Sequence, residues 1–255
     1  MRELFVIGIG AGDPDQVTIQ AIKAMNKANV FFVIGKGYEK QDLVDLRTTI
    51  LEEHVTGPYR VVDIVDPPRD RTPSDYEGVV DDWHERRAAL FEAEFASEPG
   101  VGAILVWGDP SLYDSTLRIV ERVLARGNVS FDYSVIPGVT SVQSLAAQHR
   151  IVLNRIGEPV HITTGRRLAE GLPDGVDNAV VMLDAHCTFT QVPGDDVQIW
   201  WGAYLGTPDE VLIFGRLRDV EDEIQRVRAE LRERKGWIMD IYLLQRSPSD
   251  ESGRR

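Results

Sequence analysis

The chain has 255 residues, with 28 Lys+Arg against 41 Asp+Glu for a formal net charge of −13, 43% hydrophobic residues and a single cysteine. At about 100–200 residues per domain this allows one large domain or two compact ones, each with enough apolar residues for a core. The acidity excludes the basic footprint of a nucleic-acid binder and disfavours an anionic membrane surface, while Cys187 alone can form neither an intrachain disulfide nor a cysteine metal cluster.

Strand and helix signals alternate from the start. Leu4-Phe5-Val6-Ile7 is a short continuous apolar run ending in glycines, which predicts a strand buried on both faces. The absence of a longer apolar segment here, or of any run near the ~20 residues that span a bilayer, leads us to expect a soluble cytoplasmic protein. Ile19, Ile22, Met25 and Ala28 recur at helical spacing, predicting an amphipathic helix entered through Pro14 and Thr18. Val30–Ile34 reads as the next strand, stopped by Gly35 and Gly37, and Arg60–Val65 as another, with Pro67, Pro68 and Pro73 in the loop beyond it. Ser74 and Glu77 fit a capping box opening a long helix through Trp83, Leu90, Phe91 and Phe95. A strand at 101–107, a helix carrying Leu117, Ile119, Val120, Val123 and Leu124, a strand at 131–136 and a helix capped by Thr140 or Ser141 complete the first half.

This alternation predicts an open, mostly parallel α/β sheet over residues 1–153, then a linker at 154–158. The remainder, 159–246, offers five strand candidates (160–164, 179–183, 197–204, 211–215 and 237–244) and one strong helix at 220–235. Such a strand-heavy half predicts a separate α/β domain with a mixed sheet. Residues 247–255 read as a disordered tail.

Three motifs fall at predicted strand ends, where open α/β sheets bind their ligands. Gly8-Ile9-Gly10-Ala11-Gly12-Asp13-Pro14 allows a tight turn and close approach to bare backbone. It is not the dinucleotide fingerprint, because Asp13 stands where the third glycine would be and a carboxylate there would repel a pyrophosphate. Trp107-Gly108-Asp109-Pro110-Ser111-Leu112-Tyr113-Asp114-Ser115-Thr116 is a second such turn, and Pro137-Gly138-Val139-Thr140-Ser141 brings small polar residues into a helix start. Each alone is compatible with an ordinary turn or cap; together they point to one crevice.

These motifs, with a late Gly206-Thr207-Pro208, occur in the order seen in the tetrapyrrole methylases, which the chain resembles over about residues 1–245. Within that family the likeness is greatest to the corrinoid enzymes that methylate C-1 of precorrin-5 and release acetate. It rests on residues 10–18, on Val33-Ile34-Gly35-Lys36-Gly37, on residues 107–116 and on the long 38–75 segment. The resemblance implies two α/β domains, usually in a homodimer, with S-adenosylmethionine in the cleft between them. Donor contacts then map to Ala11, Trp107, Gly108, Asp109, Leu112, Thr140, Ser141, Leu183 and Gly206. Family members often carry Pro at the position of Ala11 and Met near Leu183. The first glycine loop, through Gly10 and Gly12, would lie on the tetrapyrrole side.

Methyl transfer from a sulfonium needs positioning rather than a metal or a protein nucleophile, whereas acetate release adds a water and a proton transfer. Asp13, Tyr113 and Asp114 are the candidate general bases or water-positioning groups, although Asp114 equally suits a helix cap. A substrate with several carboxylates must overcome the negative net charge, so Arg166 and Arg167, in a cluster with Arg150 and Arg155, are candidate carboxylate contacts. Pairing with Glu158 and Glu170 is the alternative. Methylation of another ring carbon, or a non-catalytic nucleotide-binding module, remain the competing readings.

Overall fold

A computed structural model describes residues 1–35, 41–68 and 76–246, with the side chains of 41–43, 76 and 77 excepted. Lys36, Gly37, Pro73, Ser74 and the expected tail lie outside the described residues, as does the side chain of Glu77 in the anticipated capping box. The chain divides into two compact units, one of Met1–Thr140 and one beginning at Ser141.

In the first unit five strands, β1 (Glu3–Gly8), β2 (Val30–Gly35), β3 (Arg60–Val65), β4 (Val101–Val106) and β5 (Asp132–Ile136), form a sheet of order β3-β2-β4-β1-β5. Every pairing in it is parallel. The apolar runs are continuous because both faces are covered, as all-parallel sheets require. Phe5, Ile7, Phe31, Ala103 and Leu105 pack with α1 (Ile19–Met25) and α2 (Gln41–His54). Leu4, Val6, Phe32, Ile104 and Val106 pack with α3 (Tyr76–Ser97) and α4 (Thr116–Arg126).

Two local readings change. The helix expected from Pro14 is two elements: Asp13 caps a 3-10 turn at Pro14–Gln16, and Thr18 caps α1 separately through its side-chain oxygen, which accepts from the amide of Ala21 at 3.0 Å. The sequence reading also missed α2. It buries Ile50 and Leu51 but carries Asp45, Arg47, Thr48 and Thr49 between apolar residues, so its amphipathic pattern is faint.

The second unit opens with α5 (Ser141–His149), followed by β6 (His161–Thr164), α6 (Gly165–Leu168), β7 (Asn178–Met182), β8 (Val197–Ala203), β9 (Val211–Arg216), α7 (Leu217–Lys235) and β10 (Asp240–Arg246). Its sheet runs β6-β7-β10-β8-β9, with β6 and β7 parallel and the remaining pairs antiparallel. Helix α7 buries Leu217, Ile224 and Leu231 against Ile199, Trp201 and Tyr242. Division at 140/141 rather than near 154 follows from α5, which packs on β8, β9 and β10, with the Leu145 side chain against Gly202. The last strand starts at Asp240 rather than Trp237. Gly236 ends α7 in the left-handed conformation, and the carbonyls of Trp237 and Met239 accept from the Tyr204 hydroxyl (2.6 Å) and amide (2.9 Å) before the ladder resumes.

The order β3-β2-β4-β1-β5 makes β1 and β4 neighbours whose connections leave in opposite directions, so a topological switch point lies at their carboxyl ends. There the backbones of Gly8, Gly108 and Gly138 touch: a Cβ on Gly138 would lie 2.1 Å from the Gly108 oxygen, and one on Gly8 would lie 2.6 Å from it. Gly138→Ala should therefore destabilise the protein by about 1–3 kcal/mol or more through backbone overpacking. Gly57→Ala, which meets nothing within 4 Å, should change stability by less than about 0.5 kcal/mol. Urea unfolding of the two variants compares them directly.

Candidate functional site

The loops after β1 and β4 are joined by a two-residue antiparallel bridge: Gly108 donates to the Gly10 oxygen at 2.8 Å and Gly10 returns a 3.4 Å bond to the Gly108 oxygen. Gly10 can turn there because its φ is +86°, in the region that favours glycine. The loop after β5 is tied in by Asp109. Its Oδ2 accepts from the Gly138 amide at 2.9 Å, and its Oδ1 accepts from the Ser111 amide at 2.8 Å and from the Ser111 hydroxyl. The three motifs read from sequence are thus one hydrogen-bonded assembly at the switch point.

Burial raises the Asp109 pKa, but the bonds from Ser111 and Gly138 outweigh it and hold the carboxyl below the usual aspartate range. Its carboxylate fixes the loops, so a ligand contact from this residue falls to its backbone. Leu112 likewise donates its amide within the turn, to the Asp109 carbonyl at 3.2 Å. Tyr113 is 46% exposed with φ of +51°, and burial of its hydroxyl raises its pKa. A raised pKa favours the neutral phenol. Asp114 Oδ1 accepts from the Thr116 amide at 2.6 Å and Asp13 Oδ1 from the Asp15 amide at 2.9 Å, so both act as turn or helix caps. The Ala11 amide donates to Gln16 Oε1 at 3.2 Å.

Two arginines at these strand ends escaped the sequence reading. Arg47, on the unrecognised α2, lies 5.8 Å from the centroid of the Trp107 ring. Burial lowers its pKa against the opposing charge of Asp114. Arg87 binds Asp66 at 2.6 and 2.7 Å, lies 3.6 Å over the Trp83 ring and reaches Ser115 Oγ at 3.5 Å, bracing the start of α4. The Trp83–Arg87 spacing of four residues on a predicted helix was the available signal. The Trp107 indole N–H is buried and has no hydrogen-bond partner among the described residues.

In the second unit β6, β7 and β8 end on the same side of their sheet, since β10 runs against both β7 and β8. Leu183 follows β7 with φ of +55° and 66% exposure. Gly206 follows β8 with φ of +76° and gives its amide to Glu210 Oε2 at 2.7 Å. Arg166 and Arg167 are exposed on α6. Arg167 pairs with Glu170 at 2.7 Å, as the surface alternative anticipated, while Arg155 pairs with Asp177 rather than Glu158. His149 lies 3.0 Å from the Trp201 carbonyl, and burial lowers its pKa, consistent with a structural neutral imidazole. Among the described residues no cluster of three His, Cys, Asp or Glu is arranged to hold a metal, and no helix is long and apolar enough to cross a membrane.

The family model of the tetrapyrrole (corrin/porphyrin) methylases matches residues 3–221, and the chain belongs to this family. Its members are S-adenosylmethionine-dependent methyltransferases. The chain is 51% identical over 250 residues to a precorrin-6A synthase [deacetylating] from Sinorhizobium sp., covering 96% of both chains. A crystal structure of a cobalamin synthesis related protein (CobF) from Corynebacterium diphtheriae superposes with a TM-score of 0.85 at 40% identity, covering 96% of this chain and 99% of that one. A uroporphyrin-III C-methyltransferase from Thermus thermophilus, solved with S-adenosyl homocysteine, shares the fold with a TM-score of 0.59 at 18% identity over 95% of this chain and 92% of that one.

Asp109→Asn should cost about 1–3 kcal/mol at pH 7, because an amide group replaces an acceptor facing three donors. The folded-state pKa is depressed, so the wild-type advantage is complete above the ordinary value of 3.8 and is lost as pH falls through the lower folded value. Urea midpoints of the two proteins should therefore converge only below about pH 4.

Proposed function

We propose that this protein transfers a methyl group from S-adenosylmethionine to C-1 of precorrin-5 and releases acetate, forming precorrin-6A. The observation that carries this reading is the 51% identity to a precorrin-6A synthase across 96% of both chains. The loop assembly supports a donor site of this kind. Bare glycine backbone, the Thr140 and Ser141 hydroxyls and the buried, unpartnered Trp107 N–H suit a ligand bearing a carboxylate, ribose hydroxyls and a heteroaromatic base.

Bound S-adenosylmethionine supplies a methyl group activated on a sulfonium, and in-line displacement asks of the chain chiefly orientation. In our reading Ala11, Trp107, Gly108, Asp109, Leu112, Thr140, Ser141, Leu183 and Gly206 are the donor-contact positions. Gly10 and Gly12 face the tetrapyrrole, and Arg166 and Arg167 bind its carboxylates. Acetate release consumes one water. Tyr113 donates a hydrogen bond at the reacting acyl group, and Asp13 or Asp114 positions the water through the oxygen its cap leaves over. We read the enzyme as cytoplasmic and, as the family resemblance implies, a homodimer.

Calorimetric titration with S-adenosylhomocysteine should show micromolar binding, with none for NAD; the reverse result would overturn the donor assignment. Turnover of precorrin-5 should yield acetate and S-adenosylhomocysteine in equal amounts, and methylation without acetate would assign a different ring carbon. Arg166→Ala and Arg167→Ala should weaken substrate binding by about tenfold while leaving donor affinity unchanged.

A further inference from the structure

Just beyond β7 lies a buried polar cluster that the proposed chemistry does not use. The Asp184 side chain is 5% exposed and accepts four hydrogen bonds: from the His186 amide (3.0 Å) and the Thr188 hydroxyl (2.8 Å) on Oδ1, and from the Thr188 amide (2.6 Å) and the Tyr242 hydroxyl (2.7 Å) on Oδ2. Its backbone carbonyl accepts from Arg228 Nη2 at 2.7 Å, while Arg228 Nε binds Asp240 at 2.8 Å and the Trp201 indole binds the same carboxylate oxygen at 3.1 Å. Arg228 of α7 and Tyr242 of β10 thus converge on one short loop, and Trp201 of β8 backs Arg228 through their shared partner Asp240.

Two features make this more than a buried staple. Leu183, immediately before Asp184, is held in the left-handed conformation with its side chain turned out to solvent, a costly arrangement for a leucine that its surroundings must enforce. On the other flank, a Cβ on Gly165 would lie 2.6 Å from the Asp184 Cα, so the turn that carries Arg166 is seated directly against the same residue. A buried carboxylate is a poor choice for stability alone, since apolar residues of equal volume generally do as well. What the carboxylate provides is a fixed geometry for four donors and for the two exposed positions flanking it. Burial and the neighbouring Asp184 charge raise the Tyr242 pKa, so the phenol remains a donor throughout the working pH range.

We infer that Asp184, locked by Thr188 and Tyr242, is a positioning residue that presents Leu183 to the methyl donor and the Gly165–Arg166 turn beside it to the substrate. This deepens, and rests on, the donor site proposed above.

The test is calorimetric titration of S-adenosylhomocysteine into the full chain and its variants, with the Tm of each recorded. Tyr242→Phe and Thr188→Val should each weaken binding about tenfold, and Thr188→Ser, which keeps the hydroxyl, should stay within about twofold of the original. Leu231→Ala, a core truncation on α7, should lower Tm while leaving affinity within about twofold. Asp184→Asn should show the largest loss; if it fails to fold, the Tyr242 and Thr188 variants still decide. Lowered Tm with unshifted affinity in both Tyr242→Phe and Thr188→Val would overturn the positioning role alone. Failure of the unmodified protein to bind would overturn the donor site and this inference with it.

Discussion

The first unit depends on the closeness of three backbones. β4, β1 and β5 are consecutive in the sheet, and their exit loops can interlock only because Gly8, Gly108 and Gly138 present no side chains where they cross. That contact permits the Gly10–Gly108 bridge and brings the Gly138 amide within reach of Asp109. The parallel sheet is what aligns these ends: its order reverses between β1 and β4, so the helices diverge and leave a crevice that the loops line.

Much of this was legible because the signals were local. Buried parallel strands read as unbroken apolar runs, and each strand-end motif combined glycine with Asp, Pro or hydroxyl residues, whose turn chemistry is explicit in sequence. What was missed depends on long-range contacts. The weak amphipathic pattern of α2 hid that helix, and with it Arg47 over Trp107. Asp184 carried no motif at all; its importance comes from Thr188 four residues away and Tyr242 on a strand 58 residues away. Asp13 and Asp114 drew attention as acids near a crevice, whereas the structure uses one oxygen of each to satisfy a backbone donor. Carboxylates beside turns are ambiguous in this way, because the same group caps a helix or takes a proton.

Several arginines of the first unit are held by carboxylates. Arg60 binds Glu98, Arg122 binds Asp81, and Arg126 binds Glu85 and Glu92, so much of the charge sits in a pairing shell. The more exposed of these, such as Arg122–Asp81, contribute little to stability and are screened over about 8 Å at physiological salt. At the strand ends Arg87 is itself paired with Asp66, while burial lowers the pKa of Arg47 beside the Trp107 ring.

Both units use the same device. Asp109 after β4 and Asp184 after β7 are carboxylates with several donors each, three in one case and four in the other. In each loop the residue before the acid adopts positive φ, Gly108 at +61° and Leu183 at +55°. Gly108 adopts this conformation freely, but a leucine there is strained and relaxes unless something over-determines it, and a multiply bonded carboxylate one residue away supplies that constraint. Both acids therefore serve geometry. For a reaction whose leaving group already resides on the donor, holding a few backbone atoms still is the larger part of what a protein can contribute.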